Sequence, residues 1–473
     1  MSSPPPAGRP ETPADTGLDA LPDYAPMAAA VLTDGERWPL LGPGELSRVE
    51  AWRGHPQAPV WRHACGDRID ADDLAQLTGH AASFAAGPAP VGANGRPGWV
   101  DALVERAVRH VPRHRGRRVG FADLEPVCRD DLAAAVASFV PDDLPLERLV
   151  QTSSSGTSGA ALVLPVHPVT VAAELLLIER IVADAGLEWP VDPDRLALLS
   201  CTDQRQAFTY VSALTWRRPQ LMARVNLHDE EWARAGDREG FVTACRAQVI
   251  TGTPLSLLRL ARLDLPDLHP LALVPGALTL TPAARSELES RWGATVLDLY
   301  GLKETGPFAV SSDGGPHVVV APRVWVETLA PDGSPVPPGE RGEVTVTTDA
   351  NPYLPLLRYR TGDQAVLVER DGRQALVGLA GRAPVTFRRP DGGTVPSVDL
   401  HQQLQHHGAI AWSVTQAGDG SVTAHLVGGD TSRIEAALRL ALDRPVTVVG
   451  HDKLDALGPG KPRSFHCDLD PTS

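Results

Sequence analysis

Residues 298–306 read Asp298-Leu299-Tyr300-Gly301-Leu302-Lys303-Glu304-Thr305-Gly306, and the run at 295–299 has the apolar content of a buried strand. In an α/β sheet, ligands bind at the carboxyl ends of strands. Tyr300 offers an aromatic face to a purine, and Glu304 offers a hard oxygen to a magnesium ion held between phosphates. The same string reads equally well as a strand-ending turn with a solvated glutamate. Its surroundings must decide.

Working outward, residues 148–152 and 161–166 read as short strands around a Ser/Gly loop. A helix begins at Pro168, with Val171, Leu175, Ile178 and Val182 on one face. Further strands are expected at 196–200 and 271–274, and a helix at 282–291. After Pro316 the pattern turns all-β, with alternating runs at 318–320, 324–329 and 342–347. A small α+β unit follows: a hairpin at 412–416 and 422–427, a helix at 432–442 and a strand at 446–449. Before the first strand, residues 26–145 read as helices broken by Gly/Pro turns, for example 72–84 and 99–110.

The expected fold class is therefore α/β. A large multi-layer N-terminal domain would span 26–381 and contain a β-rich subdomain at about 316–381. A small mobile α+β C-terminal domain would span 382–473, and residues 1–25 would form a disordered Pro-rich tail.

Composition removes several function classes. The chain of 473 residues has a formal net charge of −14, which disfavours nucleic acid and anionic membrane surfaces as partners. No apolar run reaches the roughly 18 residues a membrane span needs, and the first residues lack the pattern of a secretory signal. Five scattered cysteines without CxxC spacing argue against a disulfide framework or structural zinc, so a cytoplasmic location is expected.

Three further strings share the chemistry of the first. Gln151-Thr152-Ser153-Ser154-Ser155-Gly156-Thr157-Ser158-Gly159 can wrap phosphate oxygens with its N–H and O–H groups. It is no Walker A loop, because no Gly-Lys-Ser/Thr follows, and a plain loop is the commoner meaning of such a stretch. Leu357-Arg358-Tyr359-Arg360-Thr361-Gly362-Asp363 ends in a carboxylate that can grip a vicinal diol such as ribose, or simply close a turn. Gly458-Pro459-Gly460-Lys461-Pro462-Arg463 presents Lys461 on a rigid loop as a point charge for an anionic transition state, although a terminal lysine is more often just solvated.

The order and flanks of these four strings resemble the adenylate-forming superfamily, most closely its phenylacetate–CoA ligase branch. The similarity takes in 123–132, Thr251–Ser256, Leu273–Ala277, Arg341–Val344, Gly381-Arg382 and Lys461, and covers about residues 110–465. The resemblance implies an AMP-forming ligase that uses ATP and Mg2+, with CoA as a further cofactor, to turn a small, aromatic carboxylic acid into its acyl-AMP. On that basis Ser154, Ser155, Gly156, Thr157, Ser158 and Gly159 would hold the phosphates, and Glu304 the metal. Tyr300 would pack on adenine beside Gly276, Ala277, Asp298 and Gly301. Asp363 would hold the ribose, Arg382 would lie at the hinge, and Lys461 would bridge carboxylate and α-phosphate. Phe208, Tyr210, Pro275, Gly306 and Phe308 are the expected acyl pocket. A monomer or homodimer in specialised metabolite biosynthesis is the corresponding expectation.

The chain also departs from that branch. Gly159-Ala160-Ala161 stands where relatives carry a basic residue and proline, so a cation is missing. Lys303, just before Glu304, is expected to restore it. Leu278 replaces a glutamate. Ala383-Pro384 follows Gly381-Arg382 in place of a charged pivot, and proline restricts both its own φ and the residue before it. Adenylation is thus expected, whereas the acceptor is CoA or another nucleophile: a carrier-protein thiol, an amine or nitrite. The alternatives are activation of nitrite to diazotise an aryl amine, and a degenerate nucleotide-binding homologue without turnover.

Overall fold

The computed structural model describes residues 18, 21, 32–92, 95–116, 120–153, 162–203, 207–337, 339–381, 385–452, 454–457 and 465–469. Apolar residues that recur every second position in some stretches, and every third or fourth in others, must stack as sheets and helices in layers. Two large sheets result. The first holds six strands in the order Tyr210–Ala213, Leu221–Asn226, Leu198–Thr202, Val249–Gly252, Ala272–Pro275 and Thr295–Val296. Its neighbours run parallel except for the Tyr210–Ala213 edge.

The second sheet has seven strands, antiparallel throughout. Their order is Val324–Leu329, Arg341–Thr348, Leu356–Arg370, Arg373–Ala380, His317–Val319, Gly306–Ser311 and Asp298–Leu302. Between the sheets lies the helix Pro168–Asp184. It starts where the sequence indicated, because Pro168 needs no N–H partner and the His167 ring accepts the Val169 amide at 3.2 Å. Leu177, Ile178 and Ile181 on this helix join Leu198 and Val249 of one sheet and Phe308 and Val346 of the other in a single apolar cluster. Each such side chain contributes about 1.5–3 kcal/mol when fully buried.

Two expectations are corrected here. The run 295–299 is not one strand: it breaks at Leu297, leaving Thr295–Val296 in the parallel sheet and starting Asp298–Leu302 at the edge of the antiparallel one. Asp298–Leu302 pairs with Gly306–Ser311, so Lys303-Glu304-Thr305 is the tip of a hairpin rather than a turn leading away from a strand end. Likewise Leu357–Asp363 closes no turn. It lies within the strand Leu356–Arg370, next to three register shifts against its neighbours.

The C-terminal portion is a small α+β unit. Helices Ser397–His406 and Thr431–Leu442 pack on a four-stranded sheet around Phe387, Leu400, Val414, Ile434 and Leu438. Ile410 of this unit packs against the core of the parallel sheet.

Candidate active site

Hairpin geometry fixes the first group of side chains. A Cβ at Gly301 would meet the Gly306 carbonyl oxygen and Pro307 Cα at 2.4 Å, so only glycine allows the two strands to approach. Gly306 adopts φ 68, and the Leu302 amide donates to Thr305 Oγ1 at 3.3 Å, which closes the tip. Glu304 is thereby held inward at 6 % exposure, while Lys303 stands exposed beside it.

The buried Glu304 carboxylate has a partner that sequence reasoning missed. Arg129 Nη1 donates to Glu304 Oε1 at 2.8 Å. Arg129 opens the short helix Arg129–Ala135, inside the segment 123–132 that carried part of the resemblance, and its guanidinium was the available signal. Tyr359, in the long strand, lies against the same carboxylate; burial, and next the Glu304 charge, push its phenol far above the ordinary range.

Tyr300 and Asp363 are brought together. The Tyr300 hydroxyl donates to Asp363 Oδ2 at 2.8 Å, and burial, with the Asp363 charge second, raises its phenol well above 10. The Tyr300 ring is set edge-on against Phe308 and His317, at centroid distances of 5.2 and 6.2 Å. Asp363 is anchored by its own amide, which donates to Thr361 Oγ1 at 3.1 Å, and Gly381 lies beside it. Asp298 Oδ2 sits 3.2 Å from His317 Nε2 on the same sheet.

Gly276 and Ala277 follow the parallel strand Ala272–Pro275. A Cβ on Gly276 would lie 3.0 Å from the Leu299 carbonyl oxygen, where the two sheets touch. Ala277 has φ 65, a left-handed conformation that costs a non-glycine residue about 1–2 kcal/mol and is concentrated at functional sites. Pro275 is buried at the strand end.

A cleft opens in front of Glu304, lined among others by Thr152, Thr170, Glu174, Lys303, Thr305 and Asn351. The proposed acyl-pocket aromatics do not line it together. Phe308 is fully buried behind Tyr300, whereas Phe208 is 59 % exposed and meets the edge of His63 at 5.4 Å. Tyr210 is half-buried, also beside His63. Ser154, Ser155, Gly156, Thr157, Ser158 and Gly159, expected at the phosphates, Arg382, Ala383 and Pro384, expected at the hinge, and Lys461 lie outside the described residues.

Magnesium with a nucleotide takes one or two carboxylates from protein and the rest of its oxygens from phosphate and water. Glu304 at the edge of the cleft fits that donor set, with Arg129 on one of its oxygens. Among the described residues no cluster of three or more acidic, His or Cys ligands offers a fuller cage.

No family model matches the chain. Among curated proteins it is similar to the phenylacetate-coenzyme A ligase of Escherichia coli K12, with 37 % identity over 110 residues, 21 % of this chain and 24 % of that protein. The Aromatoleum evansii phenylacetate-coenzyme A ligase is 31 % identical over 131 residues, 26 % of this chain and 29 % of that protein. The matched segments thus span less than a third of those relatives. Among solved structures, 2-hydroxyisobutyryl-CoA ligase in its postadenylation state with R3-HIB-AMP shares the fold at TM-score 0.59 and 14 % identity, over 79 % of this chain and 89 % of that one. The same ligase with 2-HIB-AMP gives TM-score 0.54 over 88 % and 92 %. The chain is thus similar to phenylacetate-coenzyme A ligases over about a quarter of its length, and it shares the fold of 2-hydroxyisobutyryl-CoA ligase over most of it.

Proposed function

We propose that this chain activates a small carboxylic acid, aromatic in its acyl part, as acyl-AMP with release of pyrophosphate, and passes the acyl group to a nucleophile. The observation that carries this reading is the Tyr300–Asp363 hydrogen bond on the same sheet as the buried Glu304 carboxylate. An aromatic ring and a diol-binding carboxylate side by side suit an adenosine, and a carboxylate at the hairpin tip suits the metal of its phosphates. Bound magnesium would supply charge neutralisation between phosphate oxygens. The chain's own share is positioning and charge: in-line displacement at phosphorus needs little covalent help.

In this reading Lys303 and Arg129 supply the cations that Ala160-Ala161 do not, Ser154–Gly159 wrap the phosphates, and Lys461 joins the attacking carboxylate to the α-phosphate. Arg382 belongs to the swivel between half-reactions, and Ala383-Pro384 stiffens it. The acceptor is accordingly CoA, a carrier-protein thiol, an amine or nitrite.

Magnesium-dependent exchange of pyrophosphate into ATP, run over benzoates, phenylacetates and aminobenzoates, tests the first half-reaction. Exchange dependent on one acid class supports it. Silence across the panel with nucleotide still bound would favour a non-catalytic homologue, and AMP release that requires nitrite would move the activated oxyanion from carboxylate to nitrite.

A further inference from the structure

The register of the parallel sheet places a polar row where the proposed acyl pocket lies. Met222, Leu198, Val249 and Ala272 pair across four strands and pack under Leu177, Ile178 and Ile181 of the helix Pro168–Asp184. Two residues further along each strand, on the same face, the row becomes Arg224, Ser200, Thr251 and Val274, with Tyr210 paired to Arg224 from the edge strand. One helical turn before Ile178 the helix likewise turns polar, at Glu174. Strand and helix thus change from apolar to polar at the same level of the fold.

The charges there are not mutually satisfied. Glu174 lines the cleft with Lys303, and neither forms a hydrogen bond or an ion pair within 4 Å among the described residues. Glu174 is open to the cleft, and its charge reaches Lys303 on one side and the Tyr210 hydroxyl on the other. Desolvation by the protein packed around Glu174 raises its carboxyl, and the Lys303 charge opposes that shift. Arg224 approaches the Tyr210 hydroxyl, yet its Nε is buried without a partner and no carboxylate pairs with it among the described residues. A carboxylate coupled to Lys303 on one side and to Tyr210 on the other is placed to meet the body of an acid whose carboxyl group lies toward Lys303.

We infer that Glu174 selects an acid bearing a hydrogen-bond-donating substituent, an amine or a hydroxyl, on its acyl part, with Tyr210 and Arg224 completing the polar wall. This rests on the acid-activating function proposed above. An unsubstituted arene would leave Glu174 and Arg224 desolvated without partners, which is how a polar pocket rejects an apolar analogue.

The test compares benzoate with 4-aminobenzoate, 4-hydroxybenzoate and terephthalate, by pyrophosphate exchange and by calorimetric binding to the full chain. Wild type is expected to favour the amino or hydroxy acid over benzoate by about tenfold or more, and Glu174→Met to bring that ratio near one. Glu174→Gln, which keeps an acceptor, should retain more of the hydroxy than of the amino preference. Equal use of benzoate, or a preference untouched by Glu174→Met, overturns the inference. So does a terephthalate preference that depends on Arg224. If no acid supports exchange while binding still shows the Glu174-dependent preference, the adenylation reading fails and this one stands.

Discussion

The Arg129 guanidinium and the Glu304 carboxylate meet at 2.8 Å, one from a short N-terminal helix and the other from the tip of a hairpin far along the chain. The bond ties the N-terminal helical region to the second large sheet. Removing its cation with Arg129→Met leaves a nearly buried carboxylate uncompensated. Breaking a buried pair costs about 3–5 kcal/mol, and partial exposure of Arg129 brings the expected loss to about 2 kcal/mol. Urea midpoints measure it, and Arg129→Met combined with Glu304→Gln should recover more than half. An unchanged midpoint in the single variant would mean the pair stabilises nothing.

Tyr300→Phe removes the hydroxyl that fixes the Asp363 carboxylate. Loss of one hydrogen bond to a charged group predicts a KM for ATP raised about tenfold with kcat little changed. A fall in kcat at unchanged KM would place Tyr300 in the chemical step instead.

Lys303→Ala tests whether the hairpin-tip cation serves the phosphates. Loss of one solvent-exposed charge contact predicts a KM for ATP, or an adenylation rate, worse by about three- to tenfold. Unaltered kinetics would leave Arg129 as the sole compensating cation.

Gly301→Ala is expected to be among the most damaging single changes in the hairpin. Its new Cβ would meet backbone atoms at 2.4 Å, so the strands must separate. Steric disruption of this kind predicts a loss of about 3 kcal/mol or more, with nucleotide protection against thermal unfolding abolished.

The Asp67 carboxyl is pushed up to about 6, by burial first, against bonds from the Thr215 amide and hydroxyl and the Ile69 amide. Because its folded value lies above the unfolded one, folding favours the neutral acid. That stability is complete below about pH 4 and is lost as pH rises through 6. The loss should be about 2–3 kcal/mol, and Asp67→Asn should lack it when urea midpoints at pH 4 and pH 7 are compared between the two proteins.

Much of this architecture was legible in the chain. The helix at Pro168, the helix from Pro282 and the strand Val324–Leu329 announce themselves through proline at a first turn or strict alternation. Strand Leu356–Arg370 escaped because three register shifts interrupt its alternation, so its central Arg-Tyr-Arg-Thr-Gly-Asp resembled a turn. Tyr300 and Asp363 were each legible as polar or aromatic residues of the right kind. Their contact was not, because 63 positions separate them and only sheet pairing joins them. Glu174 was hidden for a similar reason: on a helix with Leu175 and Ile178 it looks like a solvated position, and its meaning comes from the neighbouring strands.

The chain leaves the parallel sheet at Val296 and enters the antiparallel one at Asp298. That single-residue crossing joins the two sheets beside the site. Gly276 abuts Leu299 from one sheet while Tyr300 and Asp363 meet on the other, so the site takes parts from both. Nucleotide binding should appear in one step during refolding, after both sheets have docked, and could serve as a kinetic reporter of that docking.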